Sequence, residues 1–427
     1  MAWHLGQSRC DSVDAGMKRK SNATVALLCV LLAVVVIRGQ HAGTFKGSLD
    51  DPAIAYSTTS PDNIVSALNL QLQEGRVQFA FDARSGFLQS TLDALHLPVD
   101  SQLLVFSRGS LQGRRIGEQN PRAIFFNDRV ALGWVRGGDV IEVAALDPRA
   151  GIVFYTLEQH ESPSPPQFKR RFECLGCHVT GDTLGVPGLL MFSTTRAEPG
   201  RFDGVPHHID HSDPFDQRFG GWFVTGKPGA ARHMGNNVAA LDGRPSRELD
   251  SVAGLFDTDG YRSLSSDIAA HLVLTHQAAM TNLLTRAAFE ARVAEAALGN
   301  GATAEQTDAV NAVMNGIARE VVDHLLFDDE AQLPAGIHSG SGFAERFSAS
   351  GPRDRKGRSL YELDLTRRLM KYRCSYLIYS PAFDSLPSVI KAPIYRRLRD
   401  ALAGRSDSFT ILDILRETKS NLPPYFF

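Results

Sequence analysis

Ala123-Ile124-Phe125-Phe126-Asn127-Asp128-Arg129-Val130-Ala131-Leu132-Gly133-Trp134-Val135 reads as two apolar runs around a polar turn. Branched and aromatic side chains suit a pleated, half-buried surface, and Asn-Asp between two such runs is a two-residue hairpin connection, so residues 123–126 and 129–135 are expected to pair antiparallel. A second pair lies just downstream, residues 140–145 and 152–157, around Asp147-Pro148-Arg149-Ala150-Gly151. Upstream, residues 103–107 form a short apolar strand, residues 86–95 look helical, and residues 77–81 alternate as a strand. Ser60-Pro61 opens a further helix through Leu72, with serine as cap and proline at the first helical position. Residues 53–159 are therefore expected to be a mixed α/β domain built on an antiparallel sheet. Residues 160–171, with Pro163-Ser164-Pro165-Pro166, read as the linker that ends it.

Directly after that linker stands Cys174-Leu175-Gly176-Cys177-His178. Cys-x-x-Cys-His is the spacing at which two thiols can add to the vinyl groups of one porphyrin while the next histidine supplies an axial nitrogen to its iron, so the expected cofactor is one covalent haem c. A Cys-x-x-Cys pair can also be a dithiol redox motif or half of a zinc site. Against both, the proline-rich segment ahead is no buried strand, and the sequence has no second Cys-x-x-Cys to complete a four-thiolate site. Residues 172–259 are rich in Gly, Pro, His and Asp with weak periodicity, which suits a chain that wraps a cofactor.

The remainder, to residue 427, reads as helix and completes a haem domain expected over 172–427. Residues 263–267 offer caps for a helix reaching Leu298 and stopped by Gly299-Asn300-Gly301. Thr303 and Gln306 form a capping box for the next helix, with Val310, Val313, Ile317, Val321 and Leu325 on one face. Ser359 and Glu362 repeat the device for a third helix ending before Pro381, and shorter helices are expected at 393–403 and 409–418. The fold class expected is α+β.

The amino terminus bears on compartment. An uncharged apolar run over 23–37 follows Lys18-Arg19-Lys20, the layout of a secretory leader, and Met17 would be a natural start. The run is shorter than the roughly 20 residues of a membrane span. Residues 1–42 are thus expected to be a signal peptide, cleaved near Ala42, or a retained membrane anchor, which makes the protein periplasmic or otherwise extracytoplasmic. Beyond the leader only Cys174, Cys177 and Cys374 remain, too few for a disulfide framework, and Cys374 reads as a buried small hydrophobe. A net charge of −2 leaves no footprint for nucleic acid. Residues 353–405 are basic, however, and Asp323, Asp328, Asp329 and Glu330 ahead of them are acidic. These are either paired helix faces or a docking face for a redox partner protein.

His178 accounts for one axial position of iron. The candidates for the other are His233 and Met234, neighbours in Arg232-His233-Met234-Gly235, where an extended chain would aim only one of them at the metal. Methionine would raise the potential and histidine would lower it. His276 is a third candidate, on a helical stripe with Leu272, Ala279 and Leu283. His207, His208, Asp210, His211 and Asp213 have the residue types of a metal site, or form an exposed loop. Arg218, Trp222 and Lys227 surround Gly220-Gly221 and could serve haem, the indole as a flat face and the cations for propionates. For Trp222 plain core packing is the competing reading.

The motif at 174–178 resembles that of c-type cytochromes, and Met234 lies at about the separation from His178 found in small cytochromes with histidine and methionine ligands. Beyond it, residues 121–128, Gly220-Gly221-Trp222-Phe223-Val224-Thr225-Gly226, Ser266-Asp267-Ile268 and Thr275-His276-Gln277 resemble a group of uncharacterised exported bacterial monohaem proteins. The resemblance implies covalent haem and redox work without naming a substrate. Dihaem peroxidases would show a second Cys-x-x-Cys-His. The function expected is electron transfer to a partner protein; a haem oxidoreductase or peroxidase-like enzyme, and a haem-based sensor or adaptor, are the alternatives.

Overall fold

In the computed structural model, which describes residues 43–194, 206–237, 248–299 and 302–427, an antiparallel sheet dominates the first half and helices the second. The chain is α+β, as its pattern of strands followed by helices implies. The expected leader and its apolar run lie outside the described residues. No described helix is long and apolar enough to cross a membrane.

Helix α1 spans Ile64–Gln73 and α2 Leu88–Ala94. The cap of α1 is Asn63, not Ser60: its Oδ1 accepts from the backbone N–H groups of Val65 and Ser66, both at 3.1 Å. Residues 77–81, expected as a strand, join no ladder. Their polar backbone is met by a side chain, since Ser90 Oγ accepts from Ala80 N (2.9 Å) and donates to Ala80 O (3.1 Å), while Phe79 and Phe81 pack on the core.

Strands β1 (Leu103–Val105), β2 (Arg122–Phe126), β3 (Val130–Trp134), β4 (Val140–Asp147), β5 (Gly151–Glu158) and β6 (Lys169–Arg170) follow, each antiparallel to the next. The register of the opening hairpin places Phe126 opposite Ala131, and Asn127 Oδ1 accepts from the N–H groups of Arg129 and Val130 to close the turn. Alternation then sorts the side chains. Phe125, Leu132, Trp134, Ile141, Val143, Val153, Tyr155 and Leu157 go to one face and build the main core with Val65, Leu68, Leu72, Leu88 and Leu92 of the first helices. The other face carries Arg122, Gly133, Glu142 and Phe154.

Helix α3 (Leu175–His178) is a single turn; β7 (Phe192–Thr194) pairs with β8 (Pro206–His208). Strand β9 (Trp222–Phe223) returns to the edge of β1, so the seven-stranded sheet runs β6-β5-β4-β3-β2-β1-β9 and is completed by a strand from the segment after the proline-rich linker. Residues Gly43–Phe427 cluster as one compact unit.

After β10 (Lys227–Pro228), helix α4 (Ile268–Leu298) runs through the second half and is buried along most of its length. It packs on α5 (Ala304–Leu325), which starts at the Thr303–Gln306 capping box. The apolar stripe of α5 is turned by one position from the expected one. Met314, Ala318 and Val322 join Ile317, Val321 and Leu325 inside, while Val313 is 54% exposed. Strand β11 (Ile337–His338) pairs with β10, and α6 (Phe343–Ser350), α7 (Pro381–Asp384), α8 (Ser388–Leu402) and α9 (Ser408–Thr418) close the chain.

The helix expected from Ser359 is absent. Ser359 N does reach Glu362 Oε1 at 3.0 Å, but the chain then doubles back: Leu365 sits at φ 56°, Lys371 N donates to Glu362 O (2.8 Å), and Leu363 bridges Met370. The Glu362 carboxylate is shared with Lys371 and Arg353, which a helix would hold apart. Cys374 is fully buried, and burial pushes its thiol up to about 12.

Candidate functional site

The turn that bears Cys174, Cys177 and His178 lies on the second face of the sheet. His178 packs on Phe154 of β5 at 4.5 Å between ring centroids. Its Nδ1 lies 2.9 Å from Gly188 O, and since a carbonyl only accepts, Nδ1 carries the hydrogen and Nε2 keeps the lone pair. Nε2 makes no hydrogen bond among the described residues. Gly188 N donates back to His178 O at 3.1 Å, so ring and backbone are held by the same residue. Burial moves the imidazole toward its neutral form.

Gly188 is itself fixed by α4. Asn282 Oδ1 accepts from Leu189 N and Asn282 Nδ2 donates to Leu189 O, both at 2.8 Å. A Cβ on Gly188 would stand 2.4 Å from Asn282 Oδ1, so the close approach requires glycine. Beneath the turn, Arg122 of β2 reaches across β3 to Glu142 of β4, 2.6 Å away, over Gly133, where a Cβ would come within 2.3 Å of Arg122 Nε. Cys174 is half-buried and Cys177 exposed, and both are free thiols. Burial and the neighbouring Glu142 and Glu173 raise the Cys174 pKa. Two thiols one helical turn apart, beside an imidazole whose Nε2 makes no hydrogen bond among the described residues, are the groups for two thioethers and one metal bond.

The other sequence candidates fall in several places. His233 is buried between Phe215 and Phe219, with centroids 6.0 and 5.8 Å away; its Nδ1 has no hydrogen-bond partner, and burial lowers its pKa to about 4. Met234 has different neighbours: its sulfur lies 3.8 Å from Ser193 Oγ. Trp222 is buried in β9, with Nε1 donating to Phe192 O at 2.8 Å. Arg218 is fully buried, and its guanidinium donates to the carbonyls of His211 (2.8 Å) and Asp213 (2.9 Å). It therefore holds the loop that carries His211.

His276 is drawn into a group that single-sequence reading divides between two places. Its Nδ1 is 2.8 Å from Nδ1 of His211, and its ring stacks near that of His324, with centroids 5.3 Å apart. His211 is legible as part of a histidine-rich loop, but His324 is not, because one histidine in the last turn of a helix gives no signal until the loop and both helices meet. Elsewhere, a cleft of about 510 Å³ opens beside Asp128, Tyr361 and Gln277. Burial raises the Asp128 pKa, and Gln277 Oε1 accepts from the Tyr376 hydroxyl at 2.8 Å. This cleft shares no residue with the Cys174–His178 turn.

Comparison with protein-family models, with curated proteins and with solved structures returns no match.

Proposed function

We propose that the chain is an exported electron-transfer protein carrying one c-type haem on Cys174, Cys177 and His178. The observation that supports this best is the state of the turn: two free thiols, and an imidazole whose outer nitrogen is tied to Gly188 O while Nε2 is left open. That outer hydrogen bond fixes the tautomer and raises the basicity of the ligating nitrogen. The residues fit the group chemically as well. Arg122 Nε is buried without a hydrogen-bond partner next to the turn, a donor suited to a carboxylate. Haem, when bound, supplies an iron that gains and loses one electron. The chain supplies the anchor, the axial nitrogen and the apolar wall at Phe154. His233 and Met234 are the sequence candidates for the opposite axial side; they lie beside β9, whereas His178 packs on β5. The charged leader pattern ahead of residue 42 supports export.

The cleft beside Asp128 favours a second reading, an enzyme acting on a small molecule. Its separation from the Cys174–His178 turn places it behind electron transfer. One set of spectra tests both. The dithionite-reduced protein is expected to show a sharp low-spin haem c spectrum unchanged by carbon monoxide, and Cys174→Ala with Cys177→Ala to release the haem into acid acetone. A spectrum that carbon monoxide shifts readily would refute electron transfer and favour a haem enzyme with an open iron position, and a colourless chain with the mass of bare polypeptide would end every haem reading and leave only the cleft.

A further inference from the structure

Three imidazoles from distant parts of the chain meet in the helical half: His211 from the loop after β8, His276 from the third turn of α4 and His324 from the last turn of α5. One ring nitrogen from each lies within 4.8 Å of the other two. Ring centroids are 4.1 Å apart for His211 and His324 and 5.0 Å for His211 and His276, with Phe327 closing one side at 4.3 Å from His276. We propose that His211, His276 and His324 form a second, haem-independent metal centre for a borderline divalent cation of the zinc class.

Hydrogen bonding on the outside of the rings argues for it. His211 Nε2 is 3.0 Å from Asp329 Oδ1; an ionised carboxylate only accepts, so Nε2 carries the hydrogen and Nδ1 offers its lone pair inward. His276 Nε2 is 2.7 Å from Ser375 Oγ, and a hydroxyl can donate or accept. Without an ion, His276 Nδ1–H donates to His211 Nδ1 and the serine donates to Nε2. With one, His276 changes tautomer, donates to Ser375, and both inner nitrogens become ligands. Metal-bound histidines characteristically have their other nitrogen held by such a carboxylate or hydroxyl. Arg218 and Ala331 N both bind His211 O, at 2.8 and 2.9 Å, which sets the loop in place.

His324 is poorly explained as packing. Its Nε2 is buried with no hydrogen-bond partner, an unsatisfied polar atom that a purely structural role leaves unexplained. The charges agree. Asp329 binds the outer nitrogen of His211, Asp210 lies next to His211 in the same loop, and Arg218 is the buried cation on the His211 carbonyl. Three imidazole nitrogens beside acidic side chains suit a dication. Nitrogens bound to one tetrahedral zinc at about 2.0–2.1 Å would be roughly 3.4 Å apart, between the 2.8 Å that separates His211 Nδ1 from His276 Nδ1 and the 4.8 Å that bounds the group. Asp329, with its side chain 60% exposed, marks the solvent side of the group, and the fourth position is left to water.

The test uses the purified full chain, stripped with EDTA, reloaded with zinc and passed over a desalting column. Elemental analysis should find one zinc per chain, independent of iron content, and zinc-edge X-ray absorption should show imidazole scattering. His211→Gln and His324→Gln should each weaken zinc retention at least tenfold, Asp329→Asn by about 10–100-fold, and the exposed His160→Gln not at all. A folded wild type that keeps less than a tenth of an equivalent overturns the proposal, as does unchanged retention in both histidine variants. Should the variants fail to fold, an oxygen-only zinc shell in the wild type overturns it and an imidazole shell upholds it.

Discussion

Gly133 shows how one absent side chain organises a site. It lies in β3 between Arg122 on β2 and Glu142 on β4, and only a hydrogen at that position lets the guanidinium cross the strand to its carboxylate. A Cβ there would meet Arg122 Nε at 2.3 Å, so Gly133→Ala should displace Arg122, leave the mostly buried Glu142 without its cation and held by Ser110, and cost about 1–3 kcal/mol, read as a lower urea midpoint. The same substitution should perturb the Cys174–His178 turn, because Glu142 acts on both residues. Asn282 makes a sharper case. It gives two 2.8 Å hydrogen bonds to Leu189 and so sets the Gly188 carbonyl that orients His178. Asn282→Leu removes both while filling the space, and should destabilise by about 2 kcal/mol while freeing the His178 ring, visible as a changed imidazole signal in NMR. Neither Gly133 nor Asn282 was legible as functional from the sequence. Their roles depend on which strands and helices become neighbours, which local pattern does not carry.

Elements were legible where periodicity and punctuation agreed. The hairpin at Asn127-Asp128, the pair around 147–151, and the start and stop of α4 all follow from turn or cap residues next to long apolar runs. The failures at 77–81 and after Ser359 have one cause: side chains outcompete the local backbone pattern, Ser90 in the first case and Lys371 with Arg353 on Glu362 in the second. The start of α4 shows the reverse, a cap stronger than sequence implies. Asp267 Oδ1 accepts from Ala269 N, and Oδ2 accepts from Gly340 N and Ser341 N at 2.9 Å and from the hydroxyls of Ser339 and Ser341 at 2.8 Å. The fully buried carboxylate thus ties the loop after β11 to the helix that carries His276 and Asn282. Asp267→Ala would leave several buried donors unmet, and a loss of about 3–5 kcal/mol is expected by chemical denaturation; Asp267→Asn, which keeps the Oδ1 cap, should lose less.

At the scale of the whole chain, the elements that close the fold last are tied by charge. Asp354 is buried, accepts from the N–H groups of Lys356 and Arg358 at 3.0 and 2.8 Å, and pairs with the Arg358 guanidinium, which also meets Asp413 of α9. These contacts hold the Asp354 carboxyl below its ordinary pKa, the Arg358 and backbone hydrogen bonds outweighing the cost of burial. A carboxylate with a lowered folded-state pKa binds fewer protons folded than unfolded, so its stabilisation is complete above the unfolded value of about 3.9 and is lost as pH falls through the folded one. Stability referable to this site should therefore be flat from pH 7 to about 5 and decline below 4. Asp354→Asn should unfold at lower urea than wild type at pH 7, by about 1 kcal/mol, and the gap should narrow by pH 3, where the wild-type carboxyl takes up its proton. Parallel urea curves with a constant gap across that range would assign the effect to packing instead. Among the described residues, Asp354, Arg358 and Asp413 share no hydrogen bond or ion pair with the Cys174–His178 turn or the three histidines, so the geometry of neither should change with it.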